Sequence, residues 1–169
     1  MKKLIKYSLI FIGILLAIGV IGAALGLGDE EEAKDIESDE SPEVSDTWKN
    51  KIEEIANSSD VVADKYYSIE KYMMDYEADE SEVKQFADDI IADYESGSYL
   101  SEKDNHERML TNIFKSYIVE RNADGSMKDF AFDYHQNLKY VYRGVDASDS
   151  DEVKSNEGQM DKALVELNK

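Results

Sequence analysis

Apolar residues between positions 47 and 169 recur at alternating intervals of three and four, which is the period of an α-helix. The longest stripe lies in residues 47–77 and consists of Trp48, Ile52, Ile55, Ser59, Val62, Tyr66, Ile69, Met73 and Tyr76. This spacing predicts one long helix with a nearly strict heptad. Its middle, residues 57–60, reads Asn-Ser-Ser-Asp, and these are poor helix formers and good caps. A break or bend at that point is the alternative.

Further stretches of the same period follow. We predict a helix capped by Ser81 and ended by Gly97, and another from Ser101 to the turn at residues 122–125. A fourth covers residues 126–143, and a last one begins within residues 148–151. The tight turn at 122–125 makes its two flanking helices antiparallel, and no alternating run of β-branched residues predicts a strand. The prediction is an all-α fold, an antiparallel bundle of four to five helices.

The core of this bundle follows from the same stripes. Residues that lie on a stripe and away from the ends of their helix should be the most buried. Five residues meet both conditions, namely Ile69, Ile90, Ile113, Phe114 and Leu138.

The first 28 residues have a different pattern. Lys2, Lys3 and Lys6 precede an uncharged, mostly apolar run over residues 7–28. About 20 apolar residues cross a bilayer core, whereas a cleaved signal peptide has an apolar region of about 7 to 15. We therefore predict an uncleaved, single-pass N-terminal transmembrane helix, with cleavage near residues 24–26 and secretion as the alternative. Because basic flanks stay in the cytoplasm, the remainder of the chain should face outward.

Residues 29–46 contain ten acidic residues, one lysine and the only proline of the chain. A segment of this composition has too little apolar surface to offset the entropy lost on ordering. We predict an acidic disordered linker. The chain therefore divides into a membrane anchor (1–28), a linker (29–46) and a helical domain (47–169).

Charge restricts the classes of partner. All 38 acidic residues lie at or beyond Asp29, and the 16 basic residues in the same stretch leave it a net charge of −22. Such a field repels nucleic acid and favours a cationic protein partner. The absence of cysteine excludes disulfides, thiolate metal sites and a cysteine nucleophile.

Motifs for catalysis are missing from the sequence. His106 and His135 are the only histidines, and HExxH, GxSxG and phosphate-binding glycine motifs do not occur. We predict no enzyme, no cofactor and no metal, with each histidine at an edge or on the surface of the bundle. Residues 146–157 resemble an EF-hand loop at Asp146, Ser148, Ser150 and Glu157, but position six is Asp151 and not glycine. We interpret them as an acidic loop that caps the last helix.

Tyrosine is the unusual residue, with 11 in the chain. Tyr67, Tyr72, Tyr140 and Tyr142 lie off the apolar stripes or near a helix end. An exposed phenol offers apolar area together with a polar group, so we predict that these four contact a partner. Packing at the rim of the bundle is the alternative.

Two functional hypotheses follow. In the first, the chain is a membrane-anchored extracellular interaction module that engages a basic protein, as an immunity, exclusion or envelope accessory factor. In the second, it is a structural or sensory helper that forms a homodimer through a coiled coil of the first helix and the GxxxG pattern at residues 22–26. The anchor and acidic linker are typical of small surface proteins of Gram-positive bacteria, although no motif in the domain indicates a particular family.

Overall fold

The computed structural model describes residues 47–169, and this part of the chain is all-helical, with six helices and no strand. The predicted anchor and linker lie outside the described residues. The helices are α1 Thr47–Ala56, α2 Val62–Asp75, α3 Glu80–Glu95, α4 His106–Asn122, α5 Gly125–Tyr142 and α6 Asp151–Leu167. None of these six is long and apolar enough to cross a bilayer.

Helix α4 lies at the centre and packs against α1, α2, α3 and α5, while α6 packs on α5. Ion pairs fix the direction of α3 relative to α4. Asp93 near the end of α3 pairs with Arg108 near the start of α4 at 2.6 Å, and Asp89 pairs with Lys115 one to two turns away at 2.7 Å. The two helices are therefore antiparallel, as are α4 and α5 across their tight turn.

The long first helix of the sequence prediction is wrong, and the alternative of a break at residues 57–60 is confirmed. Helix α1 ends at Ala56 and α2 begins at Val62. The buried ammonium of Lys65 donates to the main-chain oxygens of Ala56 at 2.5 Å and Ser58 at 2.9 Å. These bonds satisfy carbonyls that the end of α1 leaves without a helical partner. The break raises the number of helices to six.

The heptad stripe is buried on both sides of this break. Trp48, Ile52, Tyr66, Ile69 and Met73 are all at most 6% exposed. A parallel coiled coil through this stripe would require the same side chains to leave the core. The stripe therefore packs into the core of the domain.

Two predicted helix starts are wrong by a few residues. Helix α3 is capped by Asp79 and not by Ser81, which lies inside the first turn. Helix α4 is capped by Asn105 and not by Ser101, because the Ser101 hydroxyl closes a separate turn by donating to the main-chain oxygen of Ser98 at 2.6 Å. Local hydrogen bonds of this kind compete with helix formation.

Other helix boundaries agree with the prediction. Gly97 and Gly144 follow α3 and α5 with φ of 70°, a left-handed conformation that favours glycine. Ser150 caps α6 by accepting a hydrogen bond from the main-chain nitrogen of Val153 at 3.2 Å. The last helix thus begins within the predicted residues.

The predicted core is confirmed, because Ile69, Ile90, Ile113, Phe114 and Leu138 are all 0% exposed. Phe114 on the central helix is surrounded by aromatic rings whose centroids lie within 6 Å, those of Trp48, Tyr72, Tyr76 and Phe86. Four helices or their ends meet around this ring. The core of the domain is therefore aromatic where α1, α2 and α3 cross α4.

Replacing Phe114 with alanine should lower the free energy of unfolding by about 3–5 kcal/mol, because the ring is fully buried and its neighbours cannot all collapse into the space. Urea denaturation followed by the fluorescence of Trp48 measures this loss. The control is Val165→Ala, whose side chain is 62% exposed and which should change stability by less than about 0.5 kcal/mol. An unchanged midpoint for Phe114→Ala would contradict the burial of the Phe114 ring in the core.

Candidate partner-binding surface

The four tyrosines that we predict to contact a partner differ in their exposure to solvent. Tyr67 on α2 is 54% exposed, and Tyr140 on α5 is half-buried. Tyr72 is also half-buried, with its ring stacked on Phe114 at 5.9 Å. Tyr142 is only 4% exposed, so its predicted exposure is wrong. Its hydroxyl lies 3.2 Å from Nδ1 of His106, which holds it between α5 and α4.

Tyr67 and Tyr140 are linked through the ring of Tyr66 and the guanidinium of Arg143, which the sequence pattern does not connect. The Tyr66 ring lies 5.7 Å from that of Tyr67, and the Arg143 guanidinium lies 4.7 Å from the Tyr66 ring and 5.3 Å from the Tyr140 ring. We call Tyr66, Tyr67, Tyr140, Lys139 and Arg143 the aromatic patch. Cation–π contacts hold its side chains in place, which lowers the entropy that a partner contact would cost.

Several tyrosines donate hydrogen bonds to carboxylates, a role that the sequence pattern does not reveal. Five such pairs occur in the described residues: Tyr66 with Glu70, Tyr76 with Glu82, Tyr94 with Asp161, Tyr99 with Glu157, and Tyr134 with Asp93. Only the first has the spacing of four that a sequence pattern could reveal. The others depend on which helices become neighbours.

Asp93 joins three helices. Its carboxylate accepts hydrogen bonds from Arg108 at 2.6 Å and Asn112 at 3.0 Å, both on α4, and from the Tyr134 hydroxyl of α5 at 2.5 Å. Tyr134 is fully buried, and burial followed by the charge of Asp93 raises its pKa well above the usual value. The protonated Tyr134 phenol and the Asp93 carboxylate therefore form a hydrogen bond that links α5 to α3.

The two histidines differ in environment. His106 is half-buried at the start of α4, which agrees with an edge position. His135 is 4% exposed, so its predicted place at an edge or on the surface is wrong. Its Nδ1 lies 3.1 Å from the Glu120 carboxylate, and its ring packs edge-on against Tyr117. The turn after α4 brings these residues together, and this contact cannot be read from the sequence.

The loop that resembles an EF-hand has a different arrangement. Glu157, its twelfth position, is inside α6 and accepts a hydrogen bond from the Tyr99 hydroxyl at 3.1 Å. Ser150, its fifth position, caps that helix. In the part of the chain that the structure describes, no group of three or more histidine or carboxylate side chains is placed to hold a metal ion.

The domain has an excess of acidic side chains, and few of them form ion pairs. Residues 47–169 contain 28 acidic and 15 basic residues, a net charge of −13. Among these described residues, four carboxylates pair with a lysine or arginine, those of Glu54, Asp89, Asp93 and Glu166. Other basic side chains donate to main-chain oxygens, those of Lys65, Arg121, Arg143 and Lys154. Most carboxylates of this range are thus left without a basic partner within it.

A groove of about 380 Å³ runs between α5 and α6 and is one place where such carboxylates meet. Asp129 and Asp133 lie on its α5 wall beside Phe132, which is 46% exposed. Burial, followed by the charge of Asp129, raises the pKa of Asp133 above its usual value. The groove is therefore negative, with an exposed aromatic ring.

Comparison of the chain with protein families, with curated proteins and with solved structures gives no significant match. No residue role can be transferred from a relative.

Stability should fall as the pH rises above about 10, the ordinary tyrosine pKa. Burial raises the pKa of Tyr142 to about 12 and raises that of Tyr66, Tyr99 and Tyr134 further. The unfolded chain therefore loses phenolic protons that the folded chain keeps, and stability that is complete below about pH 10 is lost toward the folded pKa values. Urea midpoints between about pH 8 and pH 11.5 measure the fall.

A matched pair of variants checks the source of this effect. Tyr134→Phe removes the hydroxyl that donates to Asp93 and should cost about 1–3 kcal/mol at neutral pH, because the carboxylate loses one of its three donors. Tyr67→Phe, at an exposed position, should change stability by less than about 0.5 kcal/mol. Midpoints that stay constant up to about pH 11.5 would show that the protonated tyrosines do not stabilise the folded domain.

Proposed function

We propose that this chain is a membrane-anchored, extracytoplasmic interaction module that binds a cationic protein. The pattern of residues 1–28 supports the anchor and its orientation, and the acid-rich residues 29–46 support a linker that extends the domain from the bilayer. An immunity or exclusion factor, or an accessory of an envelope assembly, is the kind of role that fits such a module.

The observation that carries this proposal is the use of the basic residues. Lys65, Arg121 and Lys154 donate to main-chain oxygens at helix ends or turns and form no ion pair with a carboxylate of the described residues. A net charge of −13 on a domain of this size produces a long-range field. That field attracts a basic surface and accelerates association with it.

The aromatic patch supports a second feature of the proposed complex, namely slow dissociation of the partner. Exposed tyrosine and arginine side chains are frequent among the residues that contribute most to protein interfaces. Tyr67 provides exposed ring area, and Arg143 has guanidinium nitrogens beyond the one that donates to the Lys139 oxygen. Contacts of this kind slow dissociation, whereas charge mainly affects association.

Orientation can be tested because the chain has no cysteine, so that a single introduced thiol is the only site of labelling. Asp149→Cys, at an exposed position of the loop before α6, should react with a membrane-impermeant maleimide on intact cells. Lys3→Cys, on the predicted cytoplasmic side, should react only after lysis. Protection of Asp149→Cys until lysis would contradict the extracytoplasmic location, and release of the labelled domain into the medium would favour cleavage.

Binding can be tested with the full-length chain in neutral detergent and a partner recovered from envelope extracts by cross-linking. Raising the ionic strength shortens the screening length to about 8 Å at 0.15 M, so the association rate should fall much more than the dissociation rate rises. Tyr67→Ala should raise the dissociation rate, and Val145→Ala, at another exposed position, should not. Association that is indifferent to salt would remove the electrostatic part of the proposal.

A further inference from the structure

The α5 wall of the groove between α5 and α6 carries two carboxylates that form no ion pair. Asp129 and Asp133 are four residues apart, so both carboxylates lie on the same face of α5. Neither carboxylate has a hydrogen bond or a basic partner within the described residues. Asp133 is half-buried, and a partly desolvated carboxylate without a partner is unfavourable for the folded domain.

The charged side chains on the α6 wall form no ion pair with these two carboxylates. Lys162 lines the groove, but its ammonium donates to Oε1 of Gln159 on the same helix at 3.1 Å. Glu166, also at the groove, pairs with Lys169 at 2.5 Å. No side chain of α6 therefore forms an ion pair with Asp129 or Asp133, although the charge of Lys162 lies at the same groove.

Phe132 completes the chemistry of the groove. Its ring is 46% exposed and belongs to the same helix turn as the two carboxylates. An exposed aromatic face attracts a cation, and more strongly when water is excluded from the contact. An anionic ligand would be repelled by the carboxylates, and an uncharged apolar ligand would desolvate Asp133 further.

We infer that this groove receives an arginine or lysine side chain of the partner protein, with the cation between the carboxylates of Asp129 and Asp133 and its aliphatic stem against Phe132. This inference depends on the proposed function for the existence of a cationic partner, and adds the site and the chemical group that it recognises. The raised pKa of Asp133 agrees with it, because a bound cation would stabilise the ionised carboxylate.

The test uses the full-length chain in neutral detergent and a dye-labelled peptide of alternating arginine and alanine, with fluorescence anisotropy as the readout. Replacing Asp129 and Asp133 together with asparagine should weaken binding about fivefold or more, as expected for the loss of a charge pair of about 1 kcal/mol. The control double variant Asp75→Asn and Asp88→Asn removes the same charge from exposed positions on α2 and α3. It should weaken binding less than about twofold.

Two additional variants separate the groove from general attraction. Phe132→Leu keeps a large apolar side chain but removes the aromatic ring, and should weaken binding about threefold through loss of the cation–π contact. Lys162→Gln removes the lysine that lines the groove and should strengthen binding or leave it unchanged. The folded state of each variant is checked by its urea midpoint, which should not fall for the Asp129 and Asp133 double variant because a repulsion is removed.

The outcomes distinguish this inference from the proposed function. Equal weakening by both double variants, with no effect of Phe132→Leu, would overturn the groove as the site and leave general attraction to a cationic partner intact. Absence of peptide binding by the unaltered chain, together with partner association that does not respond to salt, would overturn both. A lysine–alanine peptide in place of the arginine one shows which cation the groove prefers.

Discussion

The carboxylate of Asp93 holds together the three helices on which the rest of the domain is arranged. It accepts hydrogen bonds from Arg108 and Asn112 of α4 and from Tyr134 of α5, while it belongs to α3 itself. A partly buried carboxylate is stable only when such donors compensate its desolvation. The position of α3 is therefore coupled to the contact between α4 and α5, and no disulfide is needed to fix it.

The tyrosines extend this principle to the rest of the bundle. Tyr99 donates to Glu157 of α6 and in turn accepts a hydrogen bond from Asn137 of α5 at 2.9 Å. Tyr94 donates to Asp161 of the same helix α6 at 2.9 Å. In a domain of net charge −13, phenols provide neutral donors to carboxylates where additional lysines are absent. Among the tyrosines of residues 47–169, Tyr67 is the one whose side chain is more than half exposed.

The same arrangement determines which carboxylates remain available to the proposed cationic partner. Several basic residues donate to main-chain oxygens, so most carboxylates of the described residues form no ion pair with a lysine or arginine. Asp129 and Asp133 combine this property with a groove and an exposed ring. The acidic composition of the chain thus results, at this groove, in two carboxylates beside an exposed aromatic ring.

The amino-acid sequence alone determined the helical class, the apolar stripes and the core residues such as Phe114 and Ile113, because the 3.6-residue period is a property of each helix by itself. It also determined the helix ends at Gly97 and Gly144. Only the tertiary structure decided the break closed by Lys65, the burial of His135 and Tyr142, and the groove at Asp133. Each of these depends on how one helix lies against another, and hydrophobic periodicity does not specify which polar groups will meet there.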